Sequence, residues 1–308
     1  MSPFRAGPDD RSVTAAIDAS CLEAGFLLVT GHGTPLADIA RMHAVFAEFF
    51  ASSPTDERLL RIGPGQLHGW SGPGQPRLAN TLGRATAAPD LKETFSVGPV
   101  PAPIDLSPQE APYFDRNQWP GAPLELPAVA TDCYHRVEAL SATLMRAMAM
   151  ALGLDADYFS DKIDRHISGL AVHHYPAQDV PPPPGQLRAG AYTDFGSLTI
   201  LHPGDNPGGL QVWIDEGWSD VVVPPGAFVV NVGDLLARWT NGRWRSTLHR
   251  VVNPDAARAG LARQSLTFFH QPNWHAVIDS LPGCGPSTEP PTTSGEHFEA
   301  KLARLRGE

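Results

Sequence analysis

Five polar residues in the second half of the chain have the types and the spacing to do chemistry. Tyr192 and Asp194 stand two apart in Ala191–Leu201, a run that alternates polar and apolar residues. On a strand their side chains therefore point to one face. His249, in RSTLHRVVNP, follows Asp194 by 55 positions, and Arg263 follows His249 by 14. Arg263 and Ser265, in ARQSLTFF, are again two apart and share a face. That pair can hold a carboxylate, the guanidinium giving two parallel hydrogen bonds and the hydroxyl a third. Read singly, each residue has a plainer role: Asp194 as a turn or cap aspartate, His249 as a packed strand histidine, Arg263 as a surface cation beside a buried serine.

Strands must hold these residues. GDNPGG at 204–209 is a turn signal and Leu210–Trp213 runs back from it, so residues 188–213 read as a strand pair. GLAVHHYP, Trp218–Val222, Phe228–Val232, the segment leading to His249 and LARQSLTFFHQP add further strands, with GDLLARWT a short helix between them. PPPPG at 181–185 is a stiff extended connector. Seven or eight short strands separated by turns predict an α+β protein with a mainly β core, a double-stranded β-helix or jelly roll with flanking helices. Helical spacing covers 12–24, with Ser12 as cap and Gly25 as stop, then 35–50. A longer helix is expected over 126–152, where Val129, Tyr134, Val137, Leu140, Leu144 and Met148 fall near one face that would pack on the outside of the sheet. Phe26–Val29 reads as a buried strand, and the GHG after it makes His32 a turn residue. No linker or repeat divides the chain. It reads as one domain over 1–308: a helical and mixed portion at 1–165, the strand core with the site at 166–280, and a closing helix or lid at 281–308.

Composition narrows the function. A net charge of −10 argues against a nucleic-acid or anionic-membrane partner. Cys21, Cys133 and Cys284 are scattered and outside any metal-type CxxC, which points to a reducing, cytoplasmic setting. No apolar run approaches the ~18–20 residues of a membrane span, and MSPFRAGPDD lacks a signal core. Neither a GxxxxGK loop nor a GxSxG elbow is present. A small molecule is the expected partner.

The words around the polar residues carry more than their spacing. TDFGSLTIL, GGLQVW, VVNVGDLLARWTNGRWRSTLHRV, DLKETFSVGP and ALGLDADYF, spread over nearly the whole chain, resemble the iron(II)/2-oxoglutarate-dependent oxygenases of the isopenicillin N synthase type. In that family a strand carries His-x-Asp, a second His follows some fifty residues later, and Arg-x-Ser follows that. The resemblance implies that Asp194 and His249 hold Fe(II) and that Arg263 and Ser265 grip the distal carboxylate of 2-oxoglutarate, with Tyr175 adding to the cosubstrate contacts. Three protein ligands on one face of the metal leave room for a chelating cosubstrate and for O2. Members usually begin with an apolar strand just ahead of a segment like SPFRAG, which here follows Met1 directly. Arg188, Leu198, Phe268 and His270 are expected on the pocket's other wall, and Trp70 and Arg77 on the polar loop at its mouth.

One letter departs from the family: Tyr192 stands where it has its first His. Three readings stand side by side. Tyr192 ligates as a phenolate, a hard anion that favours iron(III). Alternatively the site works with two ligands and water, or borrows His173, two before Tyr175 and on its face. In the third reading Tyr192 abolishes metal binding. The expected function is a 2-oxoglutarate-dependent oxygenase of a small metabolite, which it hydroxylates, desaturates or cyclises. The alternatives are a metal-impaired small-molecule binding protein and an oxidase that uses iron and oxygen without 2-oxoglutarate.

Overall fold

The computed structural model describes residues 11–52, 62, 66–73, 89–178, 180, 182–204, 208–255 and 257–306. Helix α1 (Arg11–Glu23) turns Ile17 and Cys21, four apart, into the core. It stops at Gly25, whose φ of 67° suits glycine, and a Cβ there would meet the Arg245 carbonyl oxygen at 2.0 Å. Strand β1 (Phe26–Val29) follows, then α2 (Leu36–Phe50), which buries Met42, Phe46 and Phe49. His32 lies in the turn between them, its Nε2 2.9 Å from the Gly226 carbonyl, as a turn residue should. Strands β2 (Gly69–Ser71) and β3 (Glu93–Val97) lead to α3 (Leu126–Ala151). The apolar face read from the spacing of α3 is the buried one, and it packs on the sheet and on α1 and α2. After the short α4 (Ser160–Ile163) comes β4 (Gly169–Tyr175).

The remaining strands are β5 (Ala189–Tyr192), β6 (Leu198–His202), β7 (Leu210–Ile214), β8 (Gly217–Asp220), β9 (Phe228–Val232), β10 (His249–Val251), β11 (Arg263–His270), β12 (Val277–Ile278) and β13 (Thr292–Thr293). Helix α5 (Asp234–Trp239) interrupts them, and α6 (Ser294–Arg306) follows the last. Among the described residues a seven-stranded sheet runs β1-β9-β6-β11-β4-β3-β2 and a four-stranded sheet runs β5-β10-β7-β8, all pairs antiparallel. No described helix is long and apolar enough to cross a membrane.

The strand pair expected over 188–213 is not formed. β6 pairs with β9 and β11 in the large sheet, while β7 pairs with β10 and β8 in the small one. The single alternating run over Ala191–Leu201 is also two strands, one in each sheet. The chain crosses between sheets at 193–197, and Gly196 permits the crossing: a Cβ there would meet the His270 carbonyl oxygen at 2.2 Å. Alternation says that a segment is extended and half-buried; it does not say which strand lies beside it. The strand at Trp218 is shorter than expected, ending at Asp220. SPFRAG and Arg77 lie outside the described residues.

Candidate active site

The crossing at 193–197 leaves Asp194 between the two sheets. Its backbone carbonyl accepts from the Asp234 N–H at 2.8 Å, which ties the crossing to the start of α5. Its carboxylate is 3% exposed, and Oδ2 accepts a hydrogen bond from Asn231 Nδ2 at 2.7 Å. His249 Nε2 lies 3.6 Å from the same oxygen. The His249 Nδ1 donates to the Thr247 carbonyl at 3.0 Å, which leaves the lone pair on Nε2, the nitrogen facing Asp194. One carboxylate oxygen and one imidazole nitrogen, each braced from behind, thus converge on one point.

Tyr192 stands opposite His249 in the β5–β10 ladder, with ring centroids 4.3 Å apart. Burial, and then the charge of Asp194, push its phenol well above 10, so it keeps its proton at neutral pH. His173 is buried and within 2.9 Å of Thr94 Oγ1 through Nδ1. Burial holds it well below 6.5, with Lys92 and Arg263 adding to the effect, so it is neutral. Among the described residues no three His, Cys, Asp or Glu side chains gather into a metal-binding group. His173 lines the same narrow cavity as Asp194 and His249.

Deeper between the sheets, Arg263 is 2% exposed, 3.5 Å from Ser265 Oγ, with its guanidinium 4.8 Å over the Tyr175 ring. Arg188 approaches the same ring at 5.9 Å and donates to the carbonyl of Leu261 at 3.2 Å. Burial, then the Arg263 charge, lower the Arg188 pKa. No carboxylate pairs with either guanidinium among the described residues, and the Arg263 Nε and Thr267 Oγ1 are buried without partners. A buried cation of this kind calls for an anion. A narrow cavity runs from Arg263 past Thr267 and Asn231 to Asp194 and His249.

A second, mostly apolar cavity of about 280 Å³ shares His173, Tyr192 and Asp194 with the first. Its wall comes from Ile167, Phe195, Phe269, Phe298 and Leu302, and α6 closes it. This corrects the expected wall. Leu198 and Phe268 lie in the main core, with Phe268 edge-on to Tyr134 of α3. His270 is bonded to Ser197 Oγ at 2.5 Å, and Arg188 lines a cleft beyond Arg263. The physical reason is the period of a strand: with Arg263 and Ser265 facing the site, Thr267, Phe269 and Gln271 follow them inward, and Phe268 and His270 must face away. Trp70 is 5% exposed in the core and donates to Glu93 Oε2 at 2.8 Å, so it makes no pocket wall.

The chemistry of these groups fits a dicarboxylate whose far end meets Arg263 and Ser265, and it fits iron(II) through two protein donors, Asp194 and His249. Relatives agree. Residues 167–272 match the family described as "2OG-Fe(II) oxygenase superfamily", and residues 1–122 match "non-haem dioxygenase in morphine synthesis N-terminal". The validamycin A dioxygenase of Streptomyces hygroscopicus subsp. limoneus is 31% identical over 99% of this chain and 85% of its own. A full-length Neurospora crassa protein, solved in complex with alpha-KG, superposes with a TM-score of 0.83 at 29% identity, covering 96% of this chain and 92% of that one. JOX2, solved in complex with 2OG, Fe and JA, gives 0.79 at 26% identity over 97% and 86%.

Proposed function

Because the chain belongs to the 2OG-Fe(II) oxygenase superfamily, we propose that Asp194 and His249 hold its iron, that Arg263, Ser265 and Tyr175 seat its 2-oxoglutarate, and that Tyr192 occupies the corner of a third donor. The family activity is oxidation of a small molecule with iron(II) and 2-oxoglutarate; hydroxylation, desaturation or cyclisation is the outcome expected of this chain. One observation carries the reading: a braced carboxylate–imidazole pair 3.6 Å apart shares a cavity with a buried arginine that no described carboxylate neutralises.

When bound, iron(II) and 2-oxoglutarate supply an oxidant for an unactivated C–H bond; the protein's residues position everything else. Asn231 fixes the Asp194 oxygen, and the Thr247 carbonyl fixes the His249 tautomer. Arg263 orients the cosubstrate from its far carboxylate, and Phe195, Phe269 and α6 exclude water from the substrate side. A metal-impaired binding protein is the second reading, favoured by the protonated Tyr192 phenol and the lack, among the described residues, of a third His, Asp, Glu or Cys donor. Anaerobic titration of metal-free protein with iron(II) and 2-oxoglutarate, followed by visible absorption, separates the two. A charge-transfer band saturating at one iron per chain supports the enzyme, and no band with no bound iron supports the binding protein.

A further inference from the structure

The apolar cavity holds more information about its guest than its shape. Its wall carries polar side chains that the site just described does not use, among them Lys92, Ser96 and Gln271. Lys92 and Ser96 reach it because Lys92, Thr94 and Ser96 alternate along β3 and the residue before it, all on the cavity side. Thr94 is committed to His173.

Lys92 is half-buried, and no carboxylate pairs with it among the described residues. Asp194, in the wall of the same cavity, is engaged by Asn231 and His249, and three further acids have partners of their own. Glu93 faces the other side of β3, where it meets His174 at 2.8 Å and the Trp70 indole. Asp90 accepts from the Gly190 N–H, and Glu299 accepts from the Tyr113 hydroxyl. The two histidines in the wall, His68 and His173, are held neutral by burial, so among the described residues Lys92 is the cavity's single cation.

Gln271 is 3% exposed, and its Oε1 has no hydrogen-bond partner among the described residues. It fits because Gly196 has no side chain: a Cβ there would meet the Gln271 Cδ and Nε2 at 3.0 Å. A buried amide oxygen without a donor is costly in a folded protein unless a guest supplies one.

We propose that this cavity binds a compact apolar molecule bearing one carboxylate, which pairs with Lys92, and one N–H or O–H donor, which bonds to Gln271. The assignment rests on the oxygenase reading, in that the cavity opens onto Asp194. Lys92 and Gln271 are then residues that select the substrate rather than residues of the reaction. Among the described residues a second carboxylate would meet no second cation in the wall, and a neutral hydrocarbon would leave Lys92 and Gln271 unmatched against the apolar lining.

The test measures binding to iron-free protein, so it does not depend on catalysis. Calorimetric titration compares N-acetyl-L-leucine with N-acetyl-L-leucinamide, which lacks the charge, and with 4-methylpentanoate, which lacks the amide donor. The matching N-acetyl-L-phenylalanine, N-acetyl-L-phenylalaninamide and 3-phenylpropanoate set extends it to a larger apolar body. In at least one set the acid is expected to bind about ten-fold or more tightly than its amide. Lys92→Met removes that preference and Lys92→Arg keeps it, while Gln271→Leu removes the preference for the N-acetyl acid over the simple acid. Melting curves confirm that the variants fold. Amides that bind as well as acids, a preference that survives Lys92→Met, or failure of both sets to bind would overturn the assignment. A parallel titration with 2-oxoglutarate and iron(II) reports on the oxygenase reading separately, since it reads Arg263 and Asp194 and not Lys92.

Discussion

Replacing Tyr192 with histidine is the sharpest perturbation of this site. The position faces His249 across two paired strands, and its neighbour on the same face is Asp194. A histidine there would place a third nitrogen or oxygen donor at the same corner. The magnitude follows from the proton. A phenol with a pKa of about 10 must give up about 4 kcal/mol to bind as phenolate at pH 7, and burial beside Asp194 raises that cost further. An imidazole with a pKa near 6.5 is already mostly neutral at pH 7 and loses almost nothing. The extra charge of a phenolate returns part of the difference, so Tyr192→His is expected to tighten iron(II) by on the order of a hundred-fold. Anaerobic titration of metal-free wild type, Tyr192→His and Tyr192→Phe, with 2-oxoglutarate present, reads it directly. The charge-transfer band should saturate at lower iron in the histidine variant. If wild type binds one iron as tightly as Tyr192→His, and Tyr192→Phe does too, position 192 is not a corner of the metal site and the argument fails.

Arg263→Met removes the buried cation and should weaken 2-oxoglutarate by ~2–5 kcal/mol, a loss of at least about thirty-fold in calorimetry; unchanged affinity would place the cosubstrate elsewhere. Phe268→Ala and Phe269→Ala form a matched pair. The first empties core space against Tyr134 and should cost ~3–5 kcal/mol of stability, whereas the second should act mainly on substrate KM because Phe269 lines the cavity. The reverse assignment of effects would mean the strand faces are misplaced. Gly196→Ala drives a methyl into the His270 carbonyl and against the Gln271 amide, so a loss of ~1–3 kcal/mol is expected in denaturant melts. His68 and His270 are held below their ordinary 6.5, chiefly by burial. Below that pH the unfolded chain binds the extra protons, so stability should fall as pH drops through 6.5, each group adding up to ~1.4 kcal/mol per unit until its own folded pKa is reached. His270→Gln should flatten the slope, and melts at pH 7.5 and 5.5 with equal stability would contradict the burial argument.

Helix α3 was legible in the sequence because six apolar residues recur at helical spacing and nothing else explains them. The residues proposed for the site were legible as candidates because they sit in words of distinctive composition. What could not be read was partnership. Nothing local in Leu198–His202 says that its neighbours are β9 and β11 and not the strand just past the turn. That choice is made by which sheet each apolar face must close, and Gly196 is the one local residue that marks the change of sheet. The distant members of the substrate cavity were hidden for the same reason, since Lys92, Gln271 and Phe298 meet only after β3, β11 and α6 are assembled. The misassignment of Phe268 and His270 is different in kind, because the sequence did contain the answer. Once Arg263 and Ser265 are taken as facing the cosubstrate, period two carries the inward face to Thr267, Phe269 and Gln271. A residue proposed for such a pocket therefore has to be counted from a known inward residue on the same strand before its side-chain chemistry is considered. By that count Gln271, three turns of the pleat beyond Ser265, was the specificity candidate, and its unpartnered amide oxygen supports the same assignment independently.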